Sequence, residues 1–122
     1  MNKNKYFLND WKNKSKQDIL DDFCEKQDHN IIFASYVYQD YQGDAFVLVE
    51  KDGKLYEVNA GHCSCYGLEN QFNLEETSIA ALVKYLTSDI YGLDFWTGRN
   101  LYRNELIDFI REWTDKIKGI LK

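Results

Sequence analysis

The dipeptide Asp52-Gly53 sits between two runs of strand-forming residues, Ala45-Phe46-Val47-Leu48-Val49 and Leu55-Tyr56-Glu57-Val58-Asn59. Asp-Gly is a favoured pair for the type I′ turn, whose twist matches that of the strands it joins, so a hairpin is predicted here before any other element. Upstream, Ile31-Ile32-Phe33-Ala34-Ser35-Tyr36-Val37-Tyr38 is again β-branched and aromatic, and Gln42-Gly43-Asp44 supplies a turn between it and the next run. Three antiparallel strands in a meander follow from these signals.

Helical spacing flanks the meander. Phe7 and Trp11 stand four apart and predict a helix over 5–13, while Ser15 with Asp18 resembles an N-cap and leads into Ile19, Leu20, Phe23 and Cys24 on one stripe, predicting a helix over 15–26. Asn73 with Glu76 makes a further helix-start signature, so that Ile79, Leu82, Val83 and Leu86 form the buried face of a helix from about 74 to 87. Leu106, Phe109, Ile110, Trp113, Ile117 and Ile120 repeat the pattern behind a cap at Asn104, with Lys116, Lys118 and Lys122 placed to favour the negative end of the helix dipole. The predicted fold class is α+β, a three-stranded antiparallel β-meander packed against N-terminal and C-terminal helices in the order α-β-β-β-α-α. At 122 residues, without proline or a Gly/Ser-rich linker, residues 1–122 are predicted to form a single domain.

Charge narrows the classes of function. The net charge of -5 is unevenly spread: residues 1–16 carry five Lys against Asp10, residues 17–94 four Lys against fifteen carboxylates, and residues 95–122 six bases against four acids. An acidic centre opposes a nucleic-acid clamp, which needs a contiguous basic surface, and suits a basic partner or imitation of a phosphate backbone. No apolar run approaches the roughly 20 residues that span a bilayer, and Met1-Asn2-Lys3-Asn4-Lys5 lacks the apolar stretch of a signal peptide, so a cytoplasmic location in the host cell is predicted, with no membrane contact.

Two segments gather residues with chemical potential. Gly61-His62-Cys63-Ser64-Cys65-Tyr66-Gly67-Leu68-Glu69 reads as a loop, and Cys24, His29, His62, Cys63 and Cys65 are its candidate metal ligands, since zinc takes thiolate and imidazole donors. Cys-x-Cys beside one His is not the paired spacing of the familiar zinc modules. In a nucleophilic reading, Cys63 or Cys65 would attack, with His29 as base and Glu69 or Glu76 orienting it. The structural alternative is that Cys63 and Cys65 are reduced, buried and packed where the loop turns inward ahead of a helix capped by Asn73. No cofactor and no catalytic residue are predicted. The second segment runs from Tyr91 to Arg103; Tyr91, Phe95, Trp96, Arg99, Tyr102 and Arg103 combine rigid rings with guanidinium groups, the composition of binding hot spots.

The run His62-Cys63-Ser64-Cys65-Tyr66-Gly67-Leu68-Glu69, followed by Gln71-Phe72 and Glu75-Glu76-Thr77, resembles a group of short proteins encoded by phages and prophages. The resemblance spans roughly residues 31–87 and includes Tyr41-Gln42-Gly43-Asp44-Ala45 and Tyr56-Glu57-Val58-Asn59, although this chain has Phe72-Asn73-Leu74 where the group has Trp-x-Pro. It implies a mobile-element setting and transfers no site residue. Together with the acidic centre it predicts a non-enzymatic accessory protein that binds a host macromolecule, such as a nucleic-acid-binding defence protein that it would antagonise in the manner of an anti-CRISPR protein. The alternatives are a Cys/His- or zinc-dependent activity at residues 62–65 and a module that sequesters a small nucleotide.

Overall fold

A computed structural model of the chain describes residues 5–39, 42–63, 67–87 and 101–121, with the side chains of the last helix described as far as Lys116. The chain divides into two compact units, Met1–Ser78 and Ile79–Lys122. Among the described residues no helix is long and apolar enough to cross a membrane.

The first unit is built on a five-stranded mixed sheet whose spatial order follows the sequence: β1 (Phe7–Asn9), β2 (Asn30–Gln39), β3 (Gln42–Lys51), β4 (Lys54–Cys63) and β5 (Glu75–Thr77). The three central strands form the expected antiparallel meander; β5 adds an antiparallel edge and β1 a parallel one. The Asp52-Gly53 turn is as predicted, with both residues at positive φ (54° and 77°) and Lys51 facing Lys54. The sheet thus has two more strands than the sequence signals implied, and the chain is α+β, with three helices among the described residues.

The helix predicted over 5–13 is a short strand and a set of turns. Asn9 and Asn13 adopt left-handed backbone (φ 61° and 69°), which an α-helix cannot contain, and Trp11, Lys12 and Lys14 donate to carbonyls three residues back. The four-residue spacing of Phe7 and Trp11 is met by strand and turn together, and both rings are buried. The next helix, α1 (Lys16–Asp22), has the predicted capping box between Ser15 and Asp18 but stops earlier than expected. Cys24 at φ 56° ends it: Glu25 N–H reaches Leu20 O and Cys24 N–H reaches Asp21 O, the paired bonds of a Schellman cap.

The Gln42-Gly43-Asp44 segment, expected as a turn, lies within β3, because pairing with β2 continues out to Gln39 opposite Gln42. β4 likewise runs past Asn59, with Ala60, Gly61 and His62 paired to Ala45, Asp44 and Gly43. His62 and Cys63 therefore stand on a strand and not in a loop.

One face of the sheet carries the core. Ala34, Val47 and Val58 align across three strands and are covered by Trp11 and by Ile19, Leu20 and Phe23 from α1 and its end. A β-bulge at Ile31/Phe33 lets Ile31 and Ala34 share that face. The opposite face bears buried Phe33, Phe46 and Leu48, with the Phe33 and Phe46 rings in edge contact at 5.9 Å between centroids.

In the second unit, α2 (Ile79–Leu86) begins later than the predicted residue 74, because Glu75–Thr77 spends its backbone in a ladder with Leu55–Glu57. Asn73 is accordingly not its cap. Leu82 is buried, but Val83, predicted for the same buried face, is exposed. The last helix, α3 (Arg103–Leu121), opens with Leu106 N–H bonded to Tyr102 O, so that Asn104 lies in its first turn and not at the cap. Leu106, Phe109 and Ile110 are buried as predicted.

Candidate functional site

Strand register brings together residues that are remote in sequence. Tyr38, Gly43 and His62 lie in one row across β2, β3 and β4, and Tyr36 is two residues along β2 on the same face. Gly43 has no side chain to separate its neighbours. The His62 ring lies over it, stacks on Tyr38 with centroids 5.3 Å apart, and accepts or donates a 2.6 Å hydrogen bond with Tyr36 Oη at Nε2. The other ring nitrogen, Nδ1, is 2.8 Å from the carbonyl of Cys63. A carbonyl only accepts, so Nδ1 carries the proton, and in the neutral ring Nε2 accepts from the Tyr36 hydroxyl.

Three carboxylates border this row, and each is held by a donor of its own. Asp10 Oδ2 accepts Tyr38 N–H at 2.9 Å. Asp22 Oδ2 accepts the indole N–H of buried Trp11 at 2.8 Å, and Trp11 packs on Tyr36 at 5.1 Å. Glu69 Oε1 accepts Gly67 N–H at 3.3 Å. Burial raises the Tyr36 phenol above its ordinary value, with the negative charges of Asp10 and Asp22 adding to the effect. Backbone donors at Glu69 and Gly67, assisted by His62, lower Glu69 below the usual carboxylate range. Tyr36 is thereby kept as a neutral donor, and Glu69 as an anion.

The segment leaving β4 is tied back by Gln71, whose amide accepts Gly61 N–H at 3.1 Å and donates to Gly67 O at 3.0 Å. Its inward residue is Leu68, which is 3% exposed. The thiol predicted to pack there, Cys63, is exposed, and Cys65 lies outside the described residues. The physical reason is strand parity: continuation of β4 through Cys63 directs His62 to the core face, leaving the cysteine to the other side.

The remaining metal candidates take separate partners. Cys24 is a free, exposed thiol at the end of α1; His29 bonds Glu25 Oε2 at 2.7 Å and packs on Phe72; His62 is committed to Tyr36 and Tyr38. Among the described residues no group of three or more His, Cys, Asp or Glu is placed to hold a metal ion. Of the aromatic and arginine segment, Tyr91, Phe95, Trp96 and Arg99 lie outside the described residues. Tyr102 is half-buried, and Arg103 donates from its guanidinium to Leu86 O.

Tyr36, Tyr38, Gly43, Asp10 and Asp22 were not signalled as a group by the sequence motifs. Counting outward from the Asp52-Gly53 turn would have placed His62 opposite Gly43, had the strands been drawn long enough. No family model matches the chain, and comparison with curated proteins and with solved structures gives no match either.

Proposed function

We propose that the chain is a non-enzymatic accessory protein of a phage or other mobile element that binds a basic host macromolecule, in the manner of an antagonist of a nucleic-acid-binding defence protein. The observation that carries the binding reading is the aromatic end of the sheet bordered by Asp10, Asp22 and Glu69, in which Tyr38 remains 44% exposed. The charge of the unit that bears it agrees: residues 1–78 hold fourteen carboxylates against eight lysines, whereas residues 79–122 hold six against seven bases. Such a surface attracts a phosphate-binding face electrostatically and steers it into contact. The resemblance of residues 31–87 to phage-encoded proteins supports the setting.

The Tyr36–His62 pair favours binding over catalysis. A phenol held protonated by burial and by neighbouring carboxylates is a hydrogen-bond donor and a poor nucleophile at neutral pH. The same carboxylates oppose a nucleotide's phosphates, so the sequestering alternative is the less favoured binding mode.

Affinity capture with the tagged chain from extracts of expressing cells, at low and at raised salt, tests the proposal. A retained nucleic-acid-binding protein that is released as salt rises is expected. Failure to retain any macromolecule at low salt would sink the reading.

A further inference from the structure

Where β4 meets β5, two glutamates face each other. The register sets Glu57 directly opposite Glu75 and Leu55 directly opposite Thr77, so Glu57, Glu75 and Thr77 share one face of the sheet, the face away from His62. Side chains directly opposed across an antiparallel pair have Cβ atoms about 4.5–5.5 Å apart, and diagonal neighbours about 7–8 Å, which long side chains span. Like charges so placed destabilise a strand pair, and β5 has only three residues of pairing to set against them. Burial sharpens the conflict. Glu57 is 6% exposed; the Asn59 amide donates to its Oε1 at 2.7 Å and so fixes the carboxylate, while Oε2 is buried without a hydrogen-bond partner among the described residues. Thr77 Oγ1, on the diagonal, is also buried without one. Two orphaned oxygens on adjacent strands therefore stand beside a second carboxylate, Glu75, which is exposed and leaves the group open to solvent on one side.

We infer that Glu57 Oε2, Thr77 Oγ1 and the Glu75 carboxylate form a site for a hard divalent cation of the calcium class, which ties β5 to β4. The donors are oxygens only and carry two negative charges, the set that such cations take, whereas softer metals favour thiolate or imidazole. Calcium tolerates irregular geometry and leaves its remaining positions to solvent on the Glu75 side; magnesium demands near-octahedral ligands and gives up water reluctantly. A bound cation gives Glu57 Oε2 and Thr77 Oγ1 the partner that burial otherwise denies them, and it removes the repulsion between the facing carboxylates. A water molecule would satisfy the two orphaned oxygens and leave that repulsion in place. The site lies on the other face of the sheet from Tyr38, Gly43 and His62, and it stands or falls independently of the binding reading above.

The test treats the full chain with chelator and then titrates it with calcium chloride, magnesium chloride or sodium chloride at matched ionic strength, following the backbone amides of Glu57, Glu75 and Thr77 by NMR and the melting temperature in parallel. Saturable shifts at those amides and a raised melting temperature are expected with calcium, at one ion per chain, with affinity at least about tenfold above that for magnesium and no saturation with sodium. Glu57→Gln and Glu75→Gln should each weaken calcium binding by at least about tenfold, since affinity follows the charge of the ligand set. Glu76→Gln, on the other face of the same strand, should leave it unchanged and so separates this site from general attraction to an acidic surface. The melting curve of each variant without calcium shows that its fold is retained. Absence of saturable shifts at millimolar calcium, as expected for an internal water alone, overturns the assignment, and so does a calcium response that survives both Glu57→Gln and Glu75→Gln.

Discussion

Replacing Gly43 with alanine is the sharpest perturbation of the sheet end. Its backbone is ordinary extended strand, so the substitution carries no conformational penalty, and the effect comes from space alone. An ideal Cβ there would collide with His62 Nε2 and stand 2.7 Å from both Cδ2 and Cε1. If the ring holds its place, overpacking costs about 1–3 kcal/mol. If it swings away, the Tyr36–His62 hydrogen bond is lost at about 1 kcal/mol, and the stack on Tyr38 at about 0.5–1.5 kcal/mol. Alanine returns about 0.4–1 kcal/mol by restricting the unfolded chain, which leaves a net destabilisation of about 1–2 kcal/mol. Urea denaturation of the four members of a Gly43→Ala and His62→Ala cycle measures this. In the His62→Ala background the alanine at 43 should be neutral or stabilising, giving a coupling of about 1.5–3 kcal/mol. Equal destabilisation with and without the His62 ring would refute the steric argument.

Cys24→Gly should stabilise the first unit by about 1 kcal/mol in urea melts, since an exposed non-glycine residue at φ 56° in a Schellman cap is strained. Glu57 is 6% exposed and its Oε2 has no hydrogen-bond partner, while Oε1 accepts from the Asn59 amide, so Glu57→Gln should leave stability unchanged or raise it by about 1–3 kcal/mol. The pH profile of stability should fall at both ends. Asp18, held low by Ser15, Asp28, held low by Lys16, and Glu69 contribute above the ordinary carboxylate range and lose that contribution as pH falls through their lowered values. Tyr36, raised in the folded chain, contributes below about pH 10, the ordinary phenol value, and loses its contribution as pH rises through the higher folded value; absorbance titration of tyrosinate alongside unfolding checks the sign. Cys24 and Cys63, both exposed, should react with a thiol reagent in the native chain without prior unfolding.

The meander was legible because its signal is local: Asp52-Gly53 can take two positive φ angles in succession, and the residues on either side suit a pleated surface. Ser15 and Asp18 were legible for the same reason, since both halves of a capping box lie within one turn. The two edge strands were not, because Phe7–Asn9 and Glu75–Thr77 are three residues each and their pairing is decided by partners 27 and 18 residues away, Ala34 opposite Phe7 and Glu57 opposite Glu75. Asn73 and Glu76 mimic a helix start, but a sheet edge claimed the backbone first. The candidate site was legible in part. His62 was singled out for its cysteine neighbours, whereas its contacts are Tyr36 and Tyr38, which become neighbours only when β4 continues past Asn59 and Gly43 moves from a turn into a strand.

Affinity for the captured partner as a function of salt tests most directly whether the anionic, aromatic sheet end binds a basic macromolecule. The unaltered chain is compared with the triple variant Asp10→Asn, Asp22→Asn, Glu69→Gln, in which every internal hydrogen bond of the three side chains can still form. Affinity should fall steadily with salt for the unaltered chain; the variant should bind roughly tenfold more weakly at low salt, from three exposed pairs worth about 0.2–1 kcal/mol each, and depend less on salt. An affinity indifferent to salt, or equal in the two chains, would contradict the account.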